Sequence, residues 1–225
     1  MLQYLFSGDY LHAVIFVFST AVTVFLVLPF HEFAHSLIAG KLGDRSQQYA
    51  GRMTLDPSAH IDWVGAGMMM LFGWGWAKPV SVNPFYFKNR KWGMALTAVA
   101  GPCANLIAAC AAFLCLNIVG LLWYFSRGGL VFEILYSFFD FLASINISLA
   151  VFNMIPIPPL DGSKVLFAFL PDRVYYKVMQ YEQYLYIFLI AAIFTGILDK
   201  PLSYLTGLIY YGLDLLISLP FRLFF

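Results

Sequence analysis

Charge is what this chain has least of. Lys and Arg number 13 and Asp and Glu 12 in 225 residues, so 11% of the chain is charged. A soluble domain is about one quarter charged. Hydrophobic residues make up 61%, and the mean hydropathy is +0.78. That much apolar surface cannot be hidden from water by folding alone, which excludes a soluble domain and leaves an integral membrane protein in contact with the lipid bilayer. The net charge of +1, with only Lys88, Arg90 and Lys91 clustered, points to a membrane-flanking anchor and gives no sign of a nucleic-acid partner.

Cysteine is also scarce. Cys103, Cys110 and Cys115 fall in one apolar segment, and an odd number there excludes a disulfide framework. They read as small packing residues. The first nine residues hold no Lys or Arg, so the basic region of a secretory signal is missing, and the apolar run from Tyr10 is read as a retained span. Repeats, low-complexity tracts and linkers are lacking too. One membrane domain over 1–225 is expected, with a core at about 10–170 and C-terminal helices over 172–220.

What is present is a series of long apolar runs. Tyr10 to Phe30 is free of charge, and its helical pattern continues to Gly43, a C-terminal stop, with Pro29 expected to kink it. Further runs cover Trp92–Tyr124, Leu130–Phe152 with Asp140 inside, Val174–Leu198 with Glu182 inside, and Leu202–Leu219. Trp63–Ala77 is shorter than the roughly 20 residues a span needs. If it does not cross, eleven of the basic residues share one side and only Arg127 and Lys200 lie opposite. If it crosses, the split is eight against five. The positive-inside rule favours the first layout. The expectation is an all-α polytopic membrane protein of five spans, six if 63–77 also crosses, with a re-entrant hairpin near 63–90. Its N-terminus would lie outside a cell membrane.

Against this background "PFHEFAHSLIAG", from Pro29, places three ionisable side chains at the end of an apolar run. His31 and His35 are four apart and share one face of a helix. Two imidazoles so placed can hold one zinc ion, and Glu32 can take a proton from a metal-bound water as general base. An ionisable residue inside a membrane is a functional candidate by default. A third ligand is needed, and His12, His60 and the acidic residues are the candidates. His12 lies almost a helix length away, and His60 sits in a loop that would have to fold back.

A second motif, "FNMIPIPPLDGSKVL", starts at Phe152. Its prolines end the span near Asn153, and the chain is expected to run extended before Asp161-Gly162 starts another segment. Such backbone must be buried in protein or line a wet cavity. The layout argued from basic residues puts Asp161 and the histidines at the same level. Read alone, this stretch is a rigid turn with Asp161 as a helix N-cap.

Together the two motifs resemble the site-2 proteases, intramembrane zinc metalloproteases that pair an HExxH helix with a later Asn-x-x-Pro-x-x-x-x-Asp-Gly stretch. Here the second reads Asn153-Met-Ile-Pro156-Ile-Pro-Pro-Leu-Asp161-Gly162. "GRMTLDPSAHID" at 51–62, "GWGWAKPVSVNP" at 73–84 and "AGPCANL" at 100–106 are similar to the short prokaryotic branch, without a PDZ domain or a nucleotide-sensing module. The resemblance implies one zinc held by His31, His35 and Asp161, with Glu32 as general base and Asn153 beside the metal, holding substrate or stabilising an oxyanion. It implies hydrolysis of peptide bonds in or near the transmembrane helices of membrane-anchored substrate proteins, and the layout argued from basic residues puts the site toward the cytoplasmic side.

A helical substrate must unwind, and its extended chain then needs hydrogen-bond partners. "WAKPVSVNPFYF", from Trp76, alternates like a strand around Val80 and Val82, which are expected to offer an edge to substrate by strand addition. The alternative is an interfacial loop with Trp74 and Trp76 as aromatic anchors. Asn105 is expected to hydrogen-bond between helices or to help shape the site, Asp140 and Glu182 to pair in the bundle or lie at an interface, and Asp44 to cap its loop. An inactive zinc-binding protein that holds partner helices is the competing function. A metal transporter is a weaker fit, because the ionisable residues gather at one level and are not strung through several spans.

Overall fold

The computed structural model describes residues 2–73, 75–126 and 128–221. Trp74, read as an anchor, and Arg127 and Arg222, two of the charges used to orient the chain, lie outside the described residues. The protein is helical, and no strand occurs among the described residues.

Helix α1, Tyr10–Leu42, carries the first motif. Asp9 caps it by accepting from His12 N at 3.2 Å. Pro29 does not interrupt it. The irregularity sits just before, as a π turn over Thr23–Val27 in which Leu28 N donates to Thr23 O. One widened turn accommodates the ring and the missing N–H without a break. Gly43, at φ 120°, ends the helix.

Helix α2, Trp63–Phe72, is capped by Asp62, which accepts from Val64 N at 3.0 Å and Gly65 N at 2.9 Å. It ends at Gly73 in the left-handed conformation. Ten residues rise about 15 Å, half of a hydrocarbon core of about 30 Å. The chain then returns, and Lys78 N donates to His60 O at 2.8 Å. The segment thus starts and ends at one level, as a re-entrant element must. Helix and return chain touch backbone to backbone. A Cβ on Gly65 would stand 2.1 Å from Trp76 O, and one on Gly75 would stand 2.0 Å from Gly65 O, so neither position accepts a side chain.

Helices α3, Arg90–Ser126, and α4, Leu130–Asn153, complete the central bundle with α1. Ala109, Ala112 and Phe113 of α3 pack on Ala143, Ile147 and Val151 of α4. Small residues let the backbones approach, which is how helices associate in lipid. Ser19 of α1 donates to Phe138 O of α4 at 3.2 Å. Val24 and Leu28 of α1, Ala66 and Met69 of α2 and Leu149 of α4 form a second cluster that seats the re-entrant helix.

The C-terminal region departs from the two expected spans. It forms α5, Asp161–Phe169, α6, Asp172–Met179, α7, Glu182–Phe194, and α8, Asp199–Ser218. Helices α7 and α8 are bent by 81° to one another, and only together do they pass as a span. Among the described residues three helices are long and apolar enough to cross, four with this pair, where five to six spans were expected. Apolar composition set the expectation. Arg173 and Lys177 make α6 polar, and the 13 residues of α7 cover only about 20 Å. Tyr210 of α8 donates to Asp140 of α4, so Asp140 is paired within the bundle. Glu182 lies in the first turn of α7. The chain from Met154 to Leu160 is also not extended. It folds into turns, with Ile155 N on Phe152 O at 3.1 Å and Leu160 N on Ile157 O at 3.0 Å, because α5 must start directly beside α1.

Candidate metal centre

Helix α1 presents His31 and His35 on one face, one turn apart, their rings crossed at 84°. Their Nε2 atoms are 3.0 Å from each other. The turns after α4 bring Asp161, the first residue of α5, to the same point. Its Oδ2 lies 3.5 Å from His31 Nε2 and 3.1 Å from His35 Nε2. Donors on a tetrahedral zinc stand about 3.3 Å apart, so the triangle has the right size for one ion. All three side chains are buried.

Neighbouring groups orient these donors. His35 Nδ1 lies 2.7 Å from Thr97 O of α3, which fixes the tautomer and leaves Nε2 bare for a metal. His31 Nδ1 is buried and has no hydrogen-bond partner among the described residues. Lys164 Nζ takes the other carboxylate oxygen of Asp161, Oδ1, at 3.1 Å. The Lys164 ammonium favours the ionised carboxylate, the form in which Asp161 can serve as a ligand. Asp161 is not an N-cap, since that position belongs to Leu160.

Gly101 of α3 gives the donors their space. A Cβ there would stand 2.4 Å from His35 Nε2 and 2.5 Å from His31 Nε2. Gly162 is constrained in the same way by Met154 O, 2.2 Å from a Cβ. Sequence reasoning assigned no role to Thr97 or Gly101. The available signal was a glycine beside Pro102 in the middle of a span, costly in a helix unless something packs there.

Glu32 is buried beside the histidines. Its Oε2 accepts from Val80 N of the returning chain at 3.0 Å. Val80 and Val82 line the same cleft, of about 360 Å³, together with Asn153, whose Nδ2 donates to Leu149 O at 3.0 Å. Tyr186 and Ile190 of α7 form the facing wall. The segment around Val80 is not a strand, and no second strand lies beside it among the described residues. His12 stays at the far end of α1, bonded to Asp9, and His60 ends a one-turn helix, Pro57–His60, with Nε2 on Thr54 O at 2.9 Å. Asn105 makes no interhelical hydrogen bond. It is fully buried, and neither amide atom has a partner among the described residues.

Comparison with known proteins agrees with this constellation. Residues 117–196 match peptidase family M50. The chain is 35% identical over 168 residues to a Bacillus subtilis protein named "Putative zinc metalloprotease YwhC", covering 72% of this chain and 74% of that one. Two proteins with the same designation are Rip2 of Mycobacterium tuberculosis, 28% identical over 206 residues, 88% of this chain and 74% of that one, and MJ0611 of Methanocaldococcus jannaschii, 34% identical over 139 residues, 61% and 63%. No solved structure matches. With the histidine helix, the Asp-Gly turn and these relatives agreeing, the chain belongs to peptidase family M50, the site-2 protease family of membrane-embedded zinc metalloproteases.

Proposed function

We propose that the protein is an intramembrane zinc metalloprotease that hydrolyses peptide bonds in or near the transmembrane helices of membrane-anchored proteins. The observation that carries this reading is the buried triangle of His31, His35 and Asp161 donors, 3.0 to 3.5 Å on a side, with the Glu32 carboxylate next to it. These three residues would hold one zinc ion per chain, which would supply Lewis-acid polarisation and make water acidic enough to deprotonate near neutral pH.

The chain's own groups carry the proton. Glu32 takes one from the attacking water as the water oxygen bonds to the carbonyl carbon. It then gives that proton to the amide nitrogen as the C–N bond breaks, leaving a carboxylic acid and an amine, which settle as carboxylate and ammonium. Asn153 spends one amide hydrogen on Leu149 O, and its second can meet the developing oxyanion. Val80 and Val82 offer backbone to an unwound substrate chain by strand addition. The site works from the cytoplasmic side of the cell membrane, with the N-terminus outside.

The test uses purified wild type and Glu32→Gln in detergent, zinc counted by elemental analysis, and a panel of labelled single-span helices. One zinc in both with cleavage by wild type alone is the expected result. Zinc in both with cleavage in neither favours a protein that only holds partner helices. Absence of zinc in both removes the reading.

A further inference from the structure

The returning chain 79–83 is tied along one edge by the loop that follows α1, and at one point on its other edge by Glu32. From Pro79 onward its backbone groups alternate. Pro79 O accepts from Arg52 Nη2 at 3.0 Å, Ser81 O accepts from Gln47 Nε2, and Asn83 N donates to Asp44 Oδ2 at 2.7 Å. The even-numbered residues point the other way. In extended backbone, successive residues turn their N–H and C=O to opposite sides, so the loop takes the outer edge, while on the inner edge, toward the cleft, Val80 N meets Glu32 and Val82 makes no backbone hydrogen bond among the described residues.

The three holding side chains are themselves fixed. Asp44 is fully buried, and its second oxygen accepts from Ser46 N at 2.9 Å. Gln47 is buried. The Arg52 guanidinium bridges three carbonyls, those of Ala59, Lys78 and Pro79, a fork that Lys cannot reproduce. Gly43, where the loop starts, has Tyr86 O only 2.7 Å from a Cβ position, so the loop lies directly against the chain it holds.

We propose that Arg52, Gln47 and Asp44 are positioning residues that clamp the outer edge of 78–83, so that Val80 and Val82 present a fixed inner edge to an extended substrate chain. The clamp rests on the protease reading above and specifies how substrate is held there. None of the three touches the reacting atoms. An unclamped edge would have to be ordered each time substrate binds, which weakens binding and leaves the chemical step in place.

The test compares full-length wild type with Arg52→Ala, Arg52→Lys and Gln47→Glu in proteoliposomes. Cleavage kinetics use a labelled single-span helix that wild type cleaves, and hydrogen exchange follows the amides of 79–83. Arg52→Ala should raise KM about tenfold, the scale of a lost charge-assisted hydrogen bond. Its kcat and zinc content should hold, and amides 79–83 should exchange faster. Arg52→Lys should fall between. If Arg52→Ala fails to fold, Gln47→Glu, which puts an acceptor against Ser81 O, should show the same split more weakly. Unchanged exchange, or faster exchange with unchanged KM, overturns the clamp. Failure of zinc-loaded wild type to cleave any helix is distinct from these, because it overturns the protease reading and the clamp's role with it.

Discussion

The cleft has two unlike walls. On the metal side every group sits on a helix and is buried: His31 and His35 on α1, Thr97 and Gly101 on α3, Asp161 at the start of α5. Beside it the cleft is lined by backbone outside any helix, Pro79 to Val82, tied by Glu32 and by side chains of a neighbouring loop. Helix packing fixes atoms closely, which a metal needs. Exposed backbone edges in lipid are expensive, so such an edge persists only where it lines a cavity and has a use. In the function proposed above, one wall would hold the ion and the other would hold the substrate.

Removing Asp161 breaks the metal wall most completely. Asp161→Ala should leave two histidines and no third ligand, with loss of both zinc and cleavage, read by elemental analysis and gel assay. Glu32→Gln separates chemistry from metal binding. Zinc should stay, and cleavage should fall by about 10²- to 10⁴-fold, the usual contribution of a general base.

Val80→Pro sharpens the contrast from the loop side. Proline deletes the N–H that meets Glu32, so cleavage should be lost while zinc remains bound. Full activity in that variant would remove the edge hypothesis. Gly101→Ala tests the packing of the metal wall, because its methyl would press on both imidazoles. Zinc affinity should drop by about 10- to 100-fold, as for loss of a supporting group, measured by competition with a chelator. Tyr210→Phe touches neither wall. It removes the hydrogen bond to Asp140 and should cost about 0.6 kcal/mol of stability, the average for such bonds in membranes, with cleavage unchanged.

Some of this was written locally in the chain. Four-residue spacing put His31 and His35 on one face, since the helix repeat needs no tertiary partner. The scarcity of charge declared the membrane, and the length and four glycines of 63–77 left a short span or a re-entrant dip, between which the basic residues chose the dip. Asp161 was legible only through the joint pattern of two motifs. Composition could not tell a straight apolar run from one that bends, and α7 and α8 meet the length and composition of a span only together.

What the sequence by itself determined was therefore the membrane setting, the pair of imidazoles and the carboxylate beside them, because these depend on composition and on the helical repeat. Only the tertiary structure decided that Thr97 O sets the His35 tautomer, that Gly101 clears the donors' space, and that Asp44, Gln47 and Arg52 hold one edge of the returning chain. Each of those is a contact between segments distant in sequence, and packing decides which distant segments meet.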